Sequence, residues 1–394
     1  MANIILHIDF NAFFCSVAEI YNPALRNTAF AIGRENSNYG VIATASYEAR
    51  KYGIHSGMPL ALAYKKLKNL NVISMPYSYY VNYHNKFIAL LKEYSDLIEV
   101  ASIDEAFVDI THLSKTRHPL VIAKEIQTRL LKEYHLPCSI GIATTLFLAK
   151  MASDLKKPLG LTILRNKDVK KLLYPLPVKD IFGIGKKTYP KLEELGIKTI
   201  ADFFEPKNKT KVLEVISEEY YNELIDKFNG KSRNKILPLH KEDNLSISTM
   251  TTYDRRLEYE DEIIDELYIL THNIYKRLIK EKYLTKTITI TMRNTDFKTI
   301  TRSKTIEYTN DLSLIKDVVR ELFEKNYRHD TLRLLGVGFS NLIKEDLLNK
   351  EEYNLFTALD KDEKGEMIDE LINTMNKKYG QKSLYYGRNK TLFD

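Results

Sequence analysis

The chain has 394 residues, 44% hydrophobic and 28% charged, with a net charge of +7 from 59 basic and 52 acidic side chains; that length is too great for one core and implies roughly two to four domains of an ordinary globular protein. Its two cysteines, Cys15 and Cys138, lie far apart with no CxxC pair, which fits a reducing cytosol and argues against a zinc site or a disulfide scaffold. No basic segment followed by an apolar stretch opens the chain, and it holds no apolar run of about 18 residues, so neither a signal peptide nor a membrane span is expected.

Residues 4–10 alternate with strand period, and a helix is predicted from about Phe13 to Glu19, ended by Asn22-Pro23. Residues 29–33 and 41–44 read as strands, and residues 47–53 as one or two helical turns closed by Gly53. Helices are expected over 60–69 and 77–94. Residues 100–110 form two strand-like halves around Asp104-Glu105. Ile122, Ile126 and Leu130, spaced by four, mark an amphipathic helix over 120–134. A short strand over 139–143, a helix over 144–155 and a turn at Lys157-Pro158-Leu159-Gly160 complete an alternating strand–helix unit of about 165 residues.

From about 168 to 230 short helices dominate, around Gly183-Ile184-Gly185, a turn able to aim backbone N–H groups at a phosphate. Pro190 suits only a first helical turn. Residues 231–243, polar and basic with Pro238, read as a linker. Strands return at 285–293, where Ile288, Ile290 and Met292 take one face and threonines the other, at 299–306 and at 332–339, with helices over 260–282 and 311–326. Between Lys276 and Lys304 nine basic residues meet two acidic ones, a candidate phosphate-backbone surface. Arg302 and Lys304, two apart in a strand, share a face. After about 345 the chain is acidic and polar, with a possible helix around Ile368, Leu371, Ile372 and Met375.

Two acidic segments carry the chemistry. Asp9 ends the first apolar strand, and Asp104-Glu105 interrupts another. Taken singly, each has a plainer reading: Asp9 as a helix cap, Asp104-Glu105 as a solvated turn. Buried together, three carboxylates need a counter-charge, and divalent metal is the usual one. That points to a two-metal site for phosphoryl chemistry. Neighbours in a regular strand face opposite ways, so Asp104 and Glu105 converge only if the strand turns or bulges there.

Four segments in order, residues 8–14 (IDFNAFF), 43–53 (ATASYEARKYG), 102–107 (SIDEAF) and 152–160 (ASDLKKPLG), closely resemble the Y-family translesion DNA polymerases, nearest to their bacterial branch. The resemblance runs from Ile4 to about Asn341. It implies an α+β multidomain, right-hand architecture: a palm over 1–10 and 77–167 with an antiparallel-rich sheet, small fingers over 11–76, and a helical thumb with a helix-hairpin-helix over 168–232. A linker over 233–242, an α+β little finger over 243–345 and a tail over 346–394 would complete it.

By that resemblance Asp9, Asp104 and Glu105, helped by the Phe10 carbonyl, match the ligands of two Mg2+ ions. Phe14 matches the ring that collides with a ribose 2′-hydroxyl, with Phe13 left to the core. Tyr47, Arg50 and Lys157 match triphosphate ligands, supported by Thr44, and Val41 and Ala43 match the small roof over the nascent base pair. Gly183, Gly185, Lys186, Arg302, Lys304 and Arg333 would follow the DNA backbone. Phe182 stands where the family usually has proline. The tail peptide at Tyr353, Leu355 and Phe356 resembles a sliding-clamp ligand, with Glu352 in place of the usual glutamine, and Leu392-Phe393 is a second candidate.

The implied activity is template-directed, low-fidelity DNA synthesis from dNTPs on primer–template DNA, by a cytoplasmic monomer. Rival readings are another, mutagenesis-associated branch of the family, an inactive clamp- and DNA-binding module, and a two-metal nuclease or cyclase. The last would lack Phe14 and the Tyr47/Arg50/Lys157 set.

Overall fold

In the computed structural model, which describes residues 3–35, 40–236 and 246–348, the chain divides into two units, Met1–Glu242 and Asp243–Asp394. The first unit begins with β1 (Ile5–Phe10), α1 (Phe13–Tyr21), β2 (Phe30–Ile32), β3 (Thr44–Ala45), α2 (Tyr47–Arg50), α3 (Leu60–Lys66), β4 (Asn71–Ile73) and α4 (Tyr77–Lys92). It continues through β5 (Ile98–Val100), β6 (Glu105–Asp109), α5 (Pro119–Tyr134), β7 (Cys138–Ala143), α6 (Leu146–Asp154) and β8 (Leu161–Ile163). The main sheet runs β5-β6-β1-β7-β8, antiparallel except for the β7–β8 edge.

Strand alternation sorts the two faces of this sheet. Leu6, Ile8 and Phe10 of β1, Ala106 and Val108 of β6, and Cys138, Ile140 and Ile142 of β7 pack against Phe87, Leu90, Ile122, Ile126 and Leu130 from α4 and α5. The helical spacing read at 122, 126 and 130 is therefore the buried stripe of α5. Its start is set by Pro119 in the first turn and by the His118 side chain, which accepts from the Leu120 amide.

Of the alternate residues, on the face covered by α6, His7, Asp9, Glu105, Ser139 and Gly141 are polar or small, while Ile5, Phe107 and Ala143 join the apolar cluster around that helix. Gly141 lets that helix lie close: a Cβ built there would sit 2.0 Å from the Ala149 carbonyl oxygen. Thr145 caps α6 by accepting from the Leu148 amide.

A small three-stranded sheet, β3-β2-β4, lies beside these elements with its own apolar cluster around Ala31, Ile42, Ile54, Leu60 and Val72. The strand expected over 41–44 pairs only from Thr44. Upstream, the Ile42 amide bonds Met58 and the Ala43 amide bonds Ile32, while Val41 makes an isolated bridge to Pro59. Strands β4 and β8, of three residues each, are too short to show a period in the sequence.

Five short helices follow: α7 (Val169–Leu172), α8 (Tyr189–Glu194), α9 (Ile200–Phe204), α10 (Lys209–Leu213) and α11 (Glu218–Phe228). They close around Val178, Leu192, Ile200, Phe203, Val212 and Leu224, a core shared with the outer side of α6. Pro190 sits in the first turn of α8, the one place where its missing N–H is harmless.

The second unit comprises β9 (Ser246–Leu257), α12 (Glu260–Lys280), β10 (Tyr283–Asn294), β11 (Thr299–Thr309), α13 (Leu312–Asn326), β12 (Leu332–Lys344) and α14 (Glu345–Leu348). Its antiparallel sheet has the order β11-β10-β12-β9. Ile288, Ile290, Met292, Leu335, Val337 and Phe339 face α12 and α13. The opposite face pairs Thr287, Thr289 and Thr291 with Thr305, Ser303 and Thr301 through side-chain hydroxyl bonds of 3.0, 2.8 and 3.4 Å. The polar residues of β9 mask its alternation in the sequence.

Candidate active site

Asp9 and Glu105 are direct cross-strand partners on β1 and β6 and therefore share the face beneath α6. Asp104 lies just outside the start of β6. Its carbonyl accepts from the Phe10 amide at 3.1 Å, closing the end of the ladder. The turn that the sequence reading required at Asp104-Glu105 is present: the Ser102 hydroxyl reaches Asp104 Oδ1 at 2.6 Å and Glu105 Oε1 at 3.3 Å. Burial raises the Asp104 carboxyl above its ordinary range, and the neighbouring charges of Asp9 and Glu105 raise it further.

Two lysines answer this charge. Lys150 Nζ on α6 stands 2.9 Å from Asp9 Oδ2 and 2.5 Å from Glu105 Oε2, and Lys157 Nζ stands 2.7 Å from Asp9 Oδ2 and from Asp154 Oδ1. Both ammonium groups are held above their usual range. Burial opposes this, but the attraction of Asp9 and Asp154 outweighs it, and hydrogen bonds to carboxylates add to that attraction.

His7, wholly buried, lies against Glu105 from below. Its Nδ1 donates to the Ser153 hydroxyl at 2.8 Å, which in turn donates to the Lys150 carbonyl, and burial holds the ring neutral, so its Nε2, 3.1 Å from Glu105 Oε2, makes a close contact there without a hydrogen bond. The adjacent His7 ring and the Lys150 ammonium together hold the Glu105 carboxyl well below the usual carboxylate range. Asn11 ties the adjoining loop in: its side-chain oxygen accepts from the Leu159 amide at 2.8 Å.

The carboxylate oxygens of Asp9 and Glu105, with Asp104 near enough to feel both charges, suit a hard divalent cation. The ligand atoms of His7, Asp9 and Glu105 lie within 4.8 Å of one another.

Around this cluster, Phe13 is buried in the core and Phe14 is partly exposed, its ring 4.3 Å from that of Tyr80. Ser46 caps α2 by accepting from the Ala49 amide. On that helix the Arg50 guanidinium lies over the Tyr47 ring at 4.7 Å and its Nε donates to the Ala45 carbonyl. Burial pushes the Tyr47 phenol up, partly offset by Arg50 and Lys157. The carbonyl of Thr44 accepts from the Cys15 thiol. Val41 and Ala43 are exposed on either side of buried Ile42.

The glycine turn adjoins α6 through the Phe182 amide, which donates to Met151 Sδ. Gly183 adopts φ 104°, which glycine alone takes without cost, and Gly185 faces open space. Phe182 beside it is 55% exposed. In the second unit, Arg302 and Lys304 share a face as the spacing required, but it is the face toward α13. Lys304 pairs with Glu321 and Arg302 bonds Asn326. Arg333 lies over the Phe297 ring at 4.2 Å. Tyr353, Leu355, Phe356 and Leu392-Phe393 fall outside the described residues.

Residues 8–154 match the impB/mucB/samB family, 166–197 match that family's HHH motif and 244–351 its C-terminal domain. DNA polymerase IV 1 of Bacillus subtilis (strain 168) is 36% identical over 392 residues, covering 98% of this chain and 93% of the relative. The chain belongs to the Y-family DNA polymerases. Solved structures agree: a Y-family DNA polymerase chimera superposes with a TM-score of 0.75 at 26% identity, over 86% of this chain and 99% of the other. An insertion ternary complex of Dbh DNA polymerase has a TM-score of 0.61 over the same shares.

This Y-family polymerase is thus a DNA-directed DNA polymerase of the translesion type, and its family uses divalent metal. No helix among its described residues is long and apolar enough to cross a membrane. The residues that sequence reasoning passed over are Lys150 and His7. Each is a polar side chain set within an apolar run, Leu146–Ala152 and Ile4–Ile8, and a buried charge or imidazole in such a run signals a partner.

Proposed function

We propose that Asp9, Asp104 and Glu105, with the Phe10 carbonyl, hold two Mg2+ ions for attack of a primer 3′-hydroxyl on the α-phosphate of a dNTP, with release of pyrophosphate. The observation that carries this reading is the register of Asp9 with Glu105 on β1 and β6, with Asp104 in the turn before β6, tied to Glu105 through the Ser102 hydroxyl. When bound, the ions would supply the charge that stabilises the attacking and leaving oxygens. The protein's own part is to hold the carboxylates in place before substrate arrives. The β1–β6 ladder and Ser102 do this, so little reorganisation accompanies the reaction.

The other roles follow the same reading. Lys157 gives the triphosphate a point charge, and Arg50, carried with Tyr47 on α2, gives it a planar fork. Thr44 supports them. Phe14 lies under the deoxyribose and leaves no room for a 2′-hydroxyl, and Val41 and Ala43 roof the nascent pair.

The palm is formed by 1–10 and 77–167, the fingers by 11–76, the thumb by 168–232, the linker by 233–242, the little finger by 243–345 and the tail by 346–394. Gly183, Gly185 and Lys186 contact duplex phosphates, as do Arg302, Lys304 and Arg333, which exchange their internal partners for phosphate. Tyr353, Leu355 and Phe356 engage a sliding clamp. The protein acts as a cytoplasmic monomer on primer–template DNA.

The test is primer extension with Mg2+ and dNTPs, wild type beside Asp104→Ala. Extension by wild type alone supports the reading. Equal extension by both removes Asp104 from the site.

A further inference from the structure

Lys150 is the only lysine among the described residues that bridges two of the three carboxylates. Its ammonium lies between Asp9 and Glu105, at 2.9 and 2.5 Å, and 3.8 Å from Asp154. Against the two lysines stand Asp9, Asp104, Glu105 and the half-exposed Asp154, so the cluster keeps two negative charges in excess. Without Lys150 the same carboxylates would carry three uncompensated charges, and such crowding is costly.

Lys150 also lines a cavity of about 510 Å³ together with Phe107, Phe147 and Phe182, and with the charged Glu223, Asp226 and Lys227. A lysine stem is flexible and its ammonium is a compact point charge, so the side chain has both a bound position and adjoining space.

We propose that Lys150 is a tethered counter-cation: it neutralises Asp9 and Glu105 in the metal-free protein and withdraws toward the Phe107/Phe147/Phe182 cavity when a divalent cation takes its place. The residue thereby sets how readily the free enzyme takes up metal. It keeps the carboxylates gathered while disfavouring metal binding before substrate is present. This inference rests on the metal-site reading above and adds a competitor to it.

The experiment titrates the full-length protein with Mn2+, in the absence of DNA and nucleotide, and counts free Mn2+ by electron paramagnetic resonance. Wild type, Lys150→Met, Lys150→Arg and Asp9→Asn are compared, and the thermal midpoint of each is measured with EDTA and with Mn2+. Lys150→Met removes the charge and keeps the stem. It is expected to bind Mn2+ about tenfold tighter than wild type, the equivalent of one competing interaction of about 1.4 kcal/mol. Its midpoint should fall in EDTA and recover with Mn2+, while Lys150→Arg should keep wild-type affinity.

Equal or weaker binding by Lys150→Met overturns the proposal and leaves Lys150 as a positioning residue for Glu105. Binding that survives Asp9→Asn at wild-type strength shows that the ion sits elsewhere, and overturns the metal-site reading together with this one. A folded Lys150→Met protein whose midpoint does not respond to Mn2+ counts against the exchange as well.

Discussion

Gly141→Ala places the sharpest demand on the packing that builds the site. Gly141 is the middle of β7, directly opposite His7 on β1. An added Cβ would lie 2.0 Å from the Ala149 carbonyl oxygen, 2.4 Å from the Ser153 amide nitrogen and 2.9 Å from Ala152 Cβ. Two of these are backbone atoms of α6, so no side-chain rotation relieves them. Opening the closest contact to 3.0 Å moves the helix by at least about 1 Å, the difference between 3.0 and 2.0 Å.

Overpacking of this kind costs typically 1–3 kcal/mol, and a clash with backbone belongs at the upper end, about 3 kcal/mol. For a unit of this size each kcal/mol lowers the thermal midpoint by about 2–4 °C, which gives about 6–12 °C. Helix α6 also carries Lys150 and Ser153, which hold Asp9, Glu105 and His7. A misplacement of about 1 Å at reacting groups costs on the order of 100-fold in rate. Thermal melts and single-turnover primer extension measure the two effects. Gly185→Ala, whose Cβ would meet nothing within 4 Å, serves as the control for stability and should leave the thermal midpoint unchanged. A Gly141→Ala protein that melts within about 2 °C of wild type and extends at its rate would refute the reasoning, because the close approach of α6 to β7 would then be dispensable.

Phe14→Ala should admit ribonucleotides, lowering discrimination between dNTP and rNTP on the order of 10- to 200-fold, the range expected when a pocket loses a steric contact of 1–3 kcal/mol. Unchanged sugar selectivity in primer extension would remove Phe14 from that role. Deleting residues 346–394 should leave basal synthesis intact and weaken its stimulation by a sliding clamp. Stimulation that survives the deletion would remove Tyr353, Leu355 and Phe356 from clamp binding.

The sequence by itself carried the chemistry that is local. Asp9 and Asp104-Glu105 stood out as charges at the ends of apolar runs, and long periodic stretches such as 120–134 and 285–293 announced their elements because one face of each is buried. The three carboxylates could be joined only conditionally. Alternation forbids Asp104 and Glu105 from sharing a face inside a strand, and only the folded chain starts β6 at Glu105 and leaves Asp104 in the preceding turn. Arg302 and Lys304 were correctly placed on one face, yet which face depends on where α13 docks, and it docks over them. Lys150 is 141 residues from Asp9 and 45 from Glu105. Its partners are chosen by the packing of α6 on the sheet, which Gly141 permits, and no local pattern encodes a contact that exists only once two distant surfaces have closed on each other.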